Sequence, residues 1–212
     1  MIRAVVSDFG GVLTTPLAAS FQAFAARSGI TLEAIGAALA TIAARDGVHP
    51  LHELECGRAT EASFLDAMAA TLREQLGREV AMRSFAEHYF AGLHPNTPMI
   101  ELMATLRGEG YRMALLTNNV REWEARWRAM APIEEIFELV VDSAFVGMRK
   151  PDPEIYELTV QRLGVPAEQC LFVDDFEHNC EAAREAGMAA VVYRDAEQAI
   201  SEIRAALDRG AD

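Results

Sequence analysis

Ala4-Val5-Val6-Ser7-Asp8-Phe9-Gly10-Gly11-Val12-Leu13 is the stretch on which the fold turns. A short apolar, β-branched run stops at an aspartate, and two glycines follow almost at once. Such runs form buried strands, and glycines directly after them mark a tight turn. Asp8 therefore stands at the carboxyl end of a first strand, a place where aspartates usually start turns.

Beyond this turn the pattern changes twice. From Leu17 to Gly92 the apolar spacing is helical, which predicts helices over 17–28, 31–45, 60–76 and 80–91. Thr31 and Thr60 fit as N-caps, and Gly29, Gly47, Gly57 and Gly77 punctuate the ends. From Thr97 onward, short apolar runs alternate with helical ones. Strands are expected at 112–117, 139–141, 170–173 and 189–193, with helices at 98–106, 121–129, 153–163, 179–186 and after the last strand. Strands with apolar residues on both faces, joined by helices, imply an α/β fold with a parallel sheet covered on both sides. The expected organisation is a core of residues 1–16 and 93–212, with an all-helical insert, 17–92, over the sheet.

In such sheets ligands lie beyond the carboxyl ends of the strands. The residues expected there are Asp8, Thr117, the Arg149-Lys150 loop and Asp174-Asp175. Three carboxylates at one rim repel one another unless a cation lies between them, and oxygen ligands suit a hard divalent ion such as Mg2+. Lys150 adds a second positive charge able to orient Asp8 and offset charge on a transferring phosphoryl group. It is the only lysine beside eighteen arginines, which suggests a position needing a compact ammonium. Thr117, Asn118 and Asn119 offer hydroxyl, amide and backbone donors to phosphate oxygens. An aspartate so placed can attack phosphorus or an activated carbon to form a covalent intermediate.

Composition narrows the partners. A net charge of −13 leaves nothing basic to neutralise nucleic-acid phosphates, and no apolar run is long enough to span a bilayer. Cys56, Cys170 and Cys180 form no CxxC pair and read as reduced residues of a cytoplasmic protein. Trp123 and Trp127 share one helix face and read as packing residues. The expected partner is a small phosphorylated substrate, and the expected assembly a monomer or homodimer.

The ordered motifs resemble those of the haloacid dehalogenase-like (HAD) hydrolase superfamily. Asp8-Phe9-Gly10-Gly11-Val12-Leu13 resembles its nucleophile loop, and Leu116-Thr117-Asn118 its second motif. Lys150-Pro151-Asp152-Pro153-Glu154-Ile155-Tyr156 is similar to the third. Phe172-Val173-Asp174-Asp175, with Asn179, Ala182-Ala183 and Gly187-Met188, is similar to the fourth. The insert resembles the small helical cap of subclass I, with Glu55-Cys56-Gly57-Arg58-Ala59-Thr60-Glu61-Ala62-Ser63-Phe64 like a frequent cap signature. The Gly-Gly loop looks like that of the group related to epoxide hydrolase N-terminal domains. The resemblance implies a Rossmannoid core and a Mg2+-dependent phosphatase working through an aspartyl-phosphate. It implies Asp8 as nucleophile and Lys150 as its partner. Asp8, the Gly10 carbonyl, Asp175 and Asp174 would surround the metal, and Thr117 and Asn118 would bind phosphate.

Gly10 departs from the pattern. Phosphatases of the family carry there a second aspartate, a general acid and base worth roughly 10²–10⁴-fold in rate. A carbonyl ligand survives the change to glycine; proton transfer does not. The acid could come from His49, His52, Glu53 or His178, or the leaving group could need none. The alternatives are a dehalogenase, since halide leaves without a proton, and a metal- or phospho-ligand-binding protein with little turnover. A phosphonate-cleaving branch needs a cap lysine, and the insert contains none.

Overall fold

Alternation along each strand divides the sheet's side chains between two cores. In β1 (Ala4–Ser7), Val5 faces one core, while Ala4 and Val6 face the other. A computed structural model describes residues 1–82 and 85–208. After β1 come α1 (Leu17–Ser28), α2 (Leu32–Asp46), α3 (Pro50–Glu55), α4 (Glu61–Leu76) and α5 (Phe85–Ala91). Then α6 (Thr97–Gly108), β2 (Arg112–Thr117), α7 (Glu124–Arg128), α8 (Ile133–Ile136), β3 (Leu139–Asp142) and α9 (Ser143–Val146) follow. The chain ends with α10 (Pro153–Leu163), β4 (Cys170–Asp174), α11 (Glu177–Glu185), β5 (Ala189–Val192) and α12 (Ala196–Asp208).

All strand pairs are parallel, in the order β3-β2-β1-β4-β5. The order reverses at β1: the chain builds outward through β2 and β3, then returns to place β4 on the other side. Loops leaving neighbouring strands in opposite directions open a crevice at that switch point. Asp8 and Asp174-Asp175 stand on its two sides. One core gathers Val5, Met113, Leu115, Leu171 and Val173 with the buried faces of α6 and α12. The other gathers Val6, Leu116 and Phe172 with Ile155 and Tyr156 of α10 and Ala183 of α11. Both faces are thus covered, as the apolar strands require.

The insert departs from and returns to the same spot. Thr15 donates to the His94 carbonyl at 2.8 Å, and Asn96 donates to that of Leu13 at 2.8 Å. The Asn96 side chain also donates to the Val12 carbonyl and to the Tyr193 hydroxyl. Thr31 and Thr60 cap α2 and α4, each accepting from the backbone three residues on. Within the insert, two details differ from the sequence pattern. Pro50–Glu55 forms a short helix where none was expected, with Pro50 supplying the fixed φ of a first helical turn. Of the helix expected over 80–91, Phe85–Ala91 is helical and Val80 to Met82 are coil, while Arg83 and Ser84 lie outside the described residues. The apolar run Val80-Ala81-Met82 looked helical, yet Val80 and Met82 are buried without a helix. All three cysteines are free and buried.

Candidate active site

Asp8 leaves β1 with its backbone N–H donating to the Val173 carbonyl at 2.8 Å, which ties it to the neighbouring strand. Its side chain meets the ammonium of Lys150, Nζ to Oδ1 at 2.7 Å. The same Nζ lies 2.6 Å from Asp174 Oδ2. Lys150 is 1% exposed, so one buried cation bridges two buried carboxylates. Burial alone would lower its pKa; Asp174 and Asp8 outweigh that and hold it above the ordinary lysine value. Lys150 stays charged.

Asp174 engages both oxygens with protein donors. Oδ2 takes the ammonium, while Oδ1 accepts from the Phe176 N–H at 2.8 Å and from Asn179 Nδ2 at 2.9 Å. Asp175 is different: its Oδ1 is buried with no hydrogen-bond partner among the described residues. Its other oxygen is crowded by the turn after Asp8. A Cβ on Gly11, whose φ is +84°, would lie 2.2 Å from Asp175 Oδ2, so only glycine lets the loop approach this closely.

Oxygens of Asp8, Asp174 and Asp175 all lie within 4.8 Å of one another. Three carboxylates face one ammonium, an excess of two negative charges in a desolvated place. Burial, then Asp174 and Asp175, raise the Asp8 pKa against the pull of Lys150. Burial, then Asp174, raises that of Asp175 to about 6. An orphaned carboxylate oxygen beside such an excess fits a divalent cation held by oxygen ligands.

Thr117 ends β2 and is 1% exposed. The Asn118 side chain has another occupation: Nδ2 donates to the Lys150 carbonyl and Oδ1 accepts from its N–H, each at 2.9 Å. This amide pairing fixes the loop that carries the lysine. The structure therefore brings together every residue expected at the rim, with Asn118 and Asp174 committed through their side chains to holding Lys150.

Above the cluster opens a cavity of about 360 Å³, whose wall includes Asp8, Gly10, Thr117, Asn118 and Lys150. Its remainder is mostly apolar. Leu39, Phe64 and Met68 come from the insert, as does Phe85; Trp123 and Trp127 come from the sheet side. The two tryptophans are packing residues, as their spacing suggests, and also cavity wall. Trp123 lies 4.9 Å from the Tyr89 ring and 5.3 Å from that of Phe90, centroid to centroid, so it joins insert to core. Of the four side chains considered as substitutes for an acid at position 10, His178 alone is among the described residues lining the cavity. Glu55, noticed in the sequence only as part of a cap signature, lines it too. Arg149 Nε donates to Glu55 Oε2 at 2.7 Å.

A parallel α/β sheet with a carboxylate–ammonium cluster at its switch point defines the class, a Rossmannoid hydrolase. The chain belongs to the haloacid dehalogenase-like hydrolase family, whose model matches residues 2–187. It is 33% identical over 112 residues to Bifunctional epoxide hydrolase 2 of Sus scrofa, a match covering 51% of this chain and 20% of that protein. It is 33% identical over 121 residues to the phosphoglycolate phosphatase of Pseudomonas savastanoi pv. phaseolicola, covering 57% of this chain and 43% of that one. The matches thus span a fifth to under half of these relatives' lengths. A magnesium complex of a HAD family enzyme from Bacteroides thetaiotaomicron shares the fold with a TM-score of 0.70 and 25% identity, covering 91% of this chain and 93% of that one. No helix among the described residues is long and apolar enough to cross a membrane.

Proposed function

We propose that this hydrolase is a magnesium-dependent phosphatase for a phosphomonoester with an apolar leaving group, with Asp8 as its nucleophile. The observation that carries the reading is the Lys150 ammonium fixed between Asp8 and Asp174 beside the unpartnered oxygen of Asp175. Asp8, the Gly10 carbonyl and Asp175 would hold the cation, with Asp174 beside them. When bound, the ion supplies positive charge that neutralises the carboxylates and draws the phosphoryl oxygens in.

The chain's own residues do the rest. Lys150 opposes the rise that burial imposes on the Asp8 pKa and aims the carboxylate, because its position is fixed by Asp174 and by the Asn118 amide. Asp8 attacks phosphorus in line with the leaving oxygen, giving an aspartyl-phosphate that water later hydrolyses. The Thr117 hydroxyl and the Asn118 N–H donate to the phosphoryl oxygens; the Asn118 side chain is already engaged. The insert, residues 17–92, acts as a cap that excludes water from the reacting atoms. A wall built largely from Leu, Phe, Met and Trp side chains favours an apolar group over a hydrated one.

The test is phosphate release from decyl phosphate and from nitrophenyl phosphate, with and without Mg2+. Wild type should turn over both only with the ion, and Asp8→Asn should abolish turnover. Undiminished release by Asp8→Asn would refute the nucleophile. Metal-independent halide release from a 2-haloacid, with no phosphate release, would move the chain to dehalogenation.

A further inference from the structure

Gly10 leaves a chemical gap: an alkoxide expelled into an apolar cavity needs a proton, and no side chain at position 10 can give one. Bulk water is a poor source behind a wall of this kind. The donor should therefore be a titratable residue lining the cavity. Among the described residues these are Asp8, Glu55, Tyr89, Arg149, Lys150 and His178.

Most of them are unsuited. Asp8 is the nucleophile, and Arg149 does not give up its proton at any relevant pH. Lys150 is held charged by two carboxylates. Burial pushes the Tyr89 phenol well above its usual range, with Asp8, Glu55 and Asp175 adding to the effect, so it is a weak donor. His178 is exposed to solvent, its ring tilted against that of Phe176 at 5.4 Å, and Phe176 is itself 47% exposed. Glu55 remains.

We propose that Glu55 is the general acid of this enzyme, replacing from the insert the carboxyl that Gly10 removes from the nucleophile loop. The proposal rests on the phosphatase reading above. Glu55 is the last residue of α3, and its side chain is 16% exposed. The core holds it from both ends. Ser143 Oγ donates to the Glu55 carbonyl at 2.6 Å, and Arg149 donates to one oxygen of its carboxyl group. The loop that follows lies hard on α9, since a Cβ on Gly57 would come within 2.2 Å of the Ala144 carbonyl. Arg58 Nη1 donates to the Gly147 carbonyl at 3.1 Å. A side chain delivered by the insert is thus fixed in the core's frame, as a proton donor must be.

Its surroundings suit the task. Burial raises the Glu55 carboxyl above its usual range, against the pull of Arg149, then Lys150 and His49. The groups facing it are His49 and Cys56 beside its own helix, Arg149 and Lys150 from the core, and Tyr89 from α5. From α4 only Phe64 and Met68 line the cavity. As Asp8 attacks, the bond from phosphorus to the leaving oxygen breaks, its electron pair stays on that oxygen, and the Glu55 proton passes to it. The carboxylate so formed is left beside the Arg149 guanidinium, which stabilises it. Water attacking the aspartyl-phosphate then returns a proton to Glu55, and Asp8 leaves as carboxylate.

The experiment measures single-turnover release of alcohol from decyl phosphate and of nitrophenol from nitrophenyl phosphate, with Mg2+. Glu55→Gln keeps the shape and a hydrogen bond for Arg149. It should slow decanol release roughly 10²–10⁴-fold, and nitrophenol release far less, because nitrophenolate leaves without a proton. Gly10 is not among the positive-φ glycines, so an aspartate there needs no left-handed backbone. Added to Glu55→Gln, Gly10→Asp should restore decanol release. Thermal unfolding of Glu55→Gln should match wild type. Equal slowing of both substrates, or no slowing of decanol release, overturns the assignment. Absence of Mg2+-dependent release by wild type would instead sink the phosphatase reading itself.

Discussion

The cavity has a floor and a roof built on opposite principles. The floor is polar, largely buried and tightly connected: Lys150, two carboxylates and Asn118 meet in contacts of 2.6–2.9 Å, with the Asp175 carboxylate beside them. Its residues come from the ends of β1, β2 and β4 and from the loop before α10. The roof is apolar and comes from the insert, held to the core by rings such as Tyr89 on Trp123. Desolvated charges tolerate only one arrangement, whereas apolar side chains of similar volume can be exchanged with modest loss. On the proposed phosphatase reading, the floor would carry the reaction chemistry and the roof would select among leaving groups.

Removing the floor's cation should have the largest effect. Lys150→Ala leaves Asp8 and Asp174 buried without their counter-charge, a loss of about 3–5 kcal/mol in stability, to be measured by urea unfolding. A change below 1 kcal/mol would mean that the floor is less constrained than its contacts imply.

Metal linkage should come next. At a hundredfold excess over its dissociation constant, Mg2+ should stabilise wild type by about 2.7 kcal/mol, read as a rise in Tm. Asp175→Asn should remove most of that rise, because it takes a charge from the cluster where a buried carboxylate oxygen lacks a hydrogen-bond partner. An equal rise in the variant would place the ion elsewhere.

The roof should respond least. Met68→Ala, at a residue 1% exposed, should cost about 2 kcal/mol, the low end for such truncations because it already borders a void. Its kinetic signature should be a higher KM for decyl phosphate with kcat nearly kept, since the side chain contacts a part of the substrate that does not react. A fall in kcat with KM unchanged would give the roof a part in the chemistry and dissolve the contrast.

Floor and roof were unequally legible. Asp8, Thr117, Lys150 and Asp174-Asp175 could be found because each follows a β-branched or apolar strand, or sits in a motif of fixed spacing. The commitment of the Asn118 amide to Lys150 could not be seen, as the two are 32 positions apart and either could have faced substrate. Glu55 was overlooked for a related reason. Two histidines and Glu53 nearby have the same chemistry, and only the turn at which α3 ends decides which carboxyl faces inward.

By itself, then, the sequence determined an alternating parallel sheet, a helical insertion after the first strand, and the identity of the residues at the strand ends. Those follow from local preference and period, which neighbouring residues settle among themselves. Tertiary structure alone decided what the insert's apolar faces enclose, which polar side chains are engaged with one another, and which are left facing the cavity. A helical period shows which face must be covered, but what covers it depends on how distant helices pack, and no short window of sequence contains that.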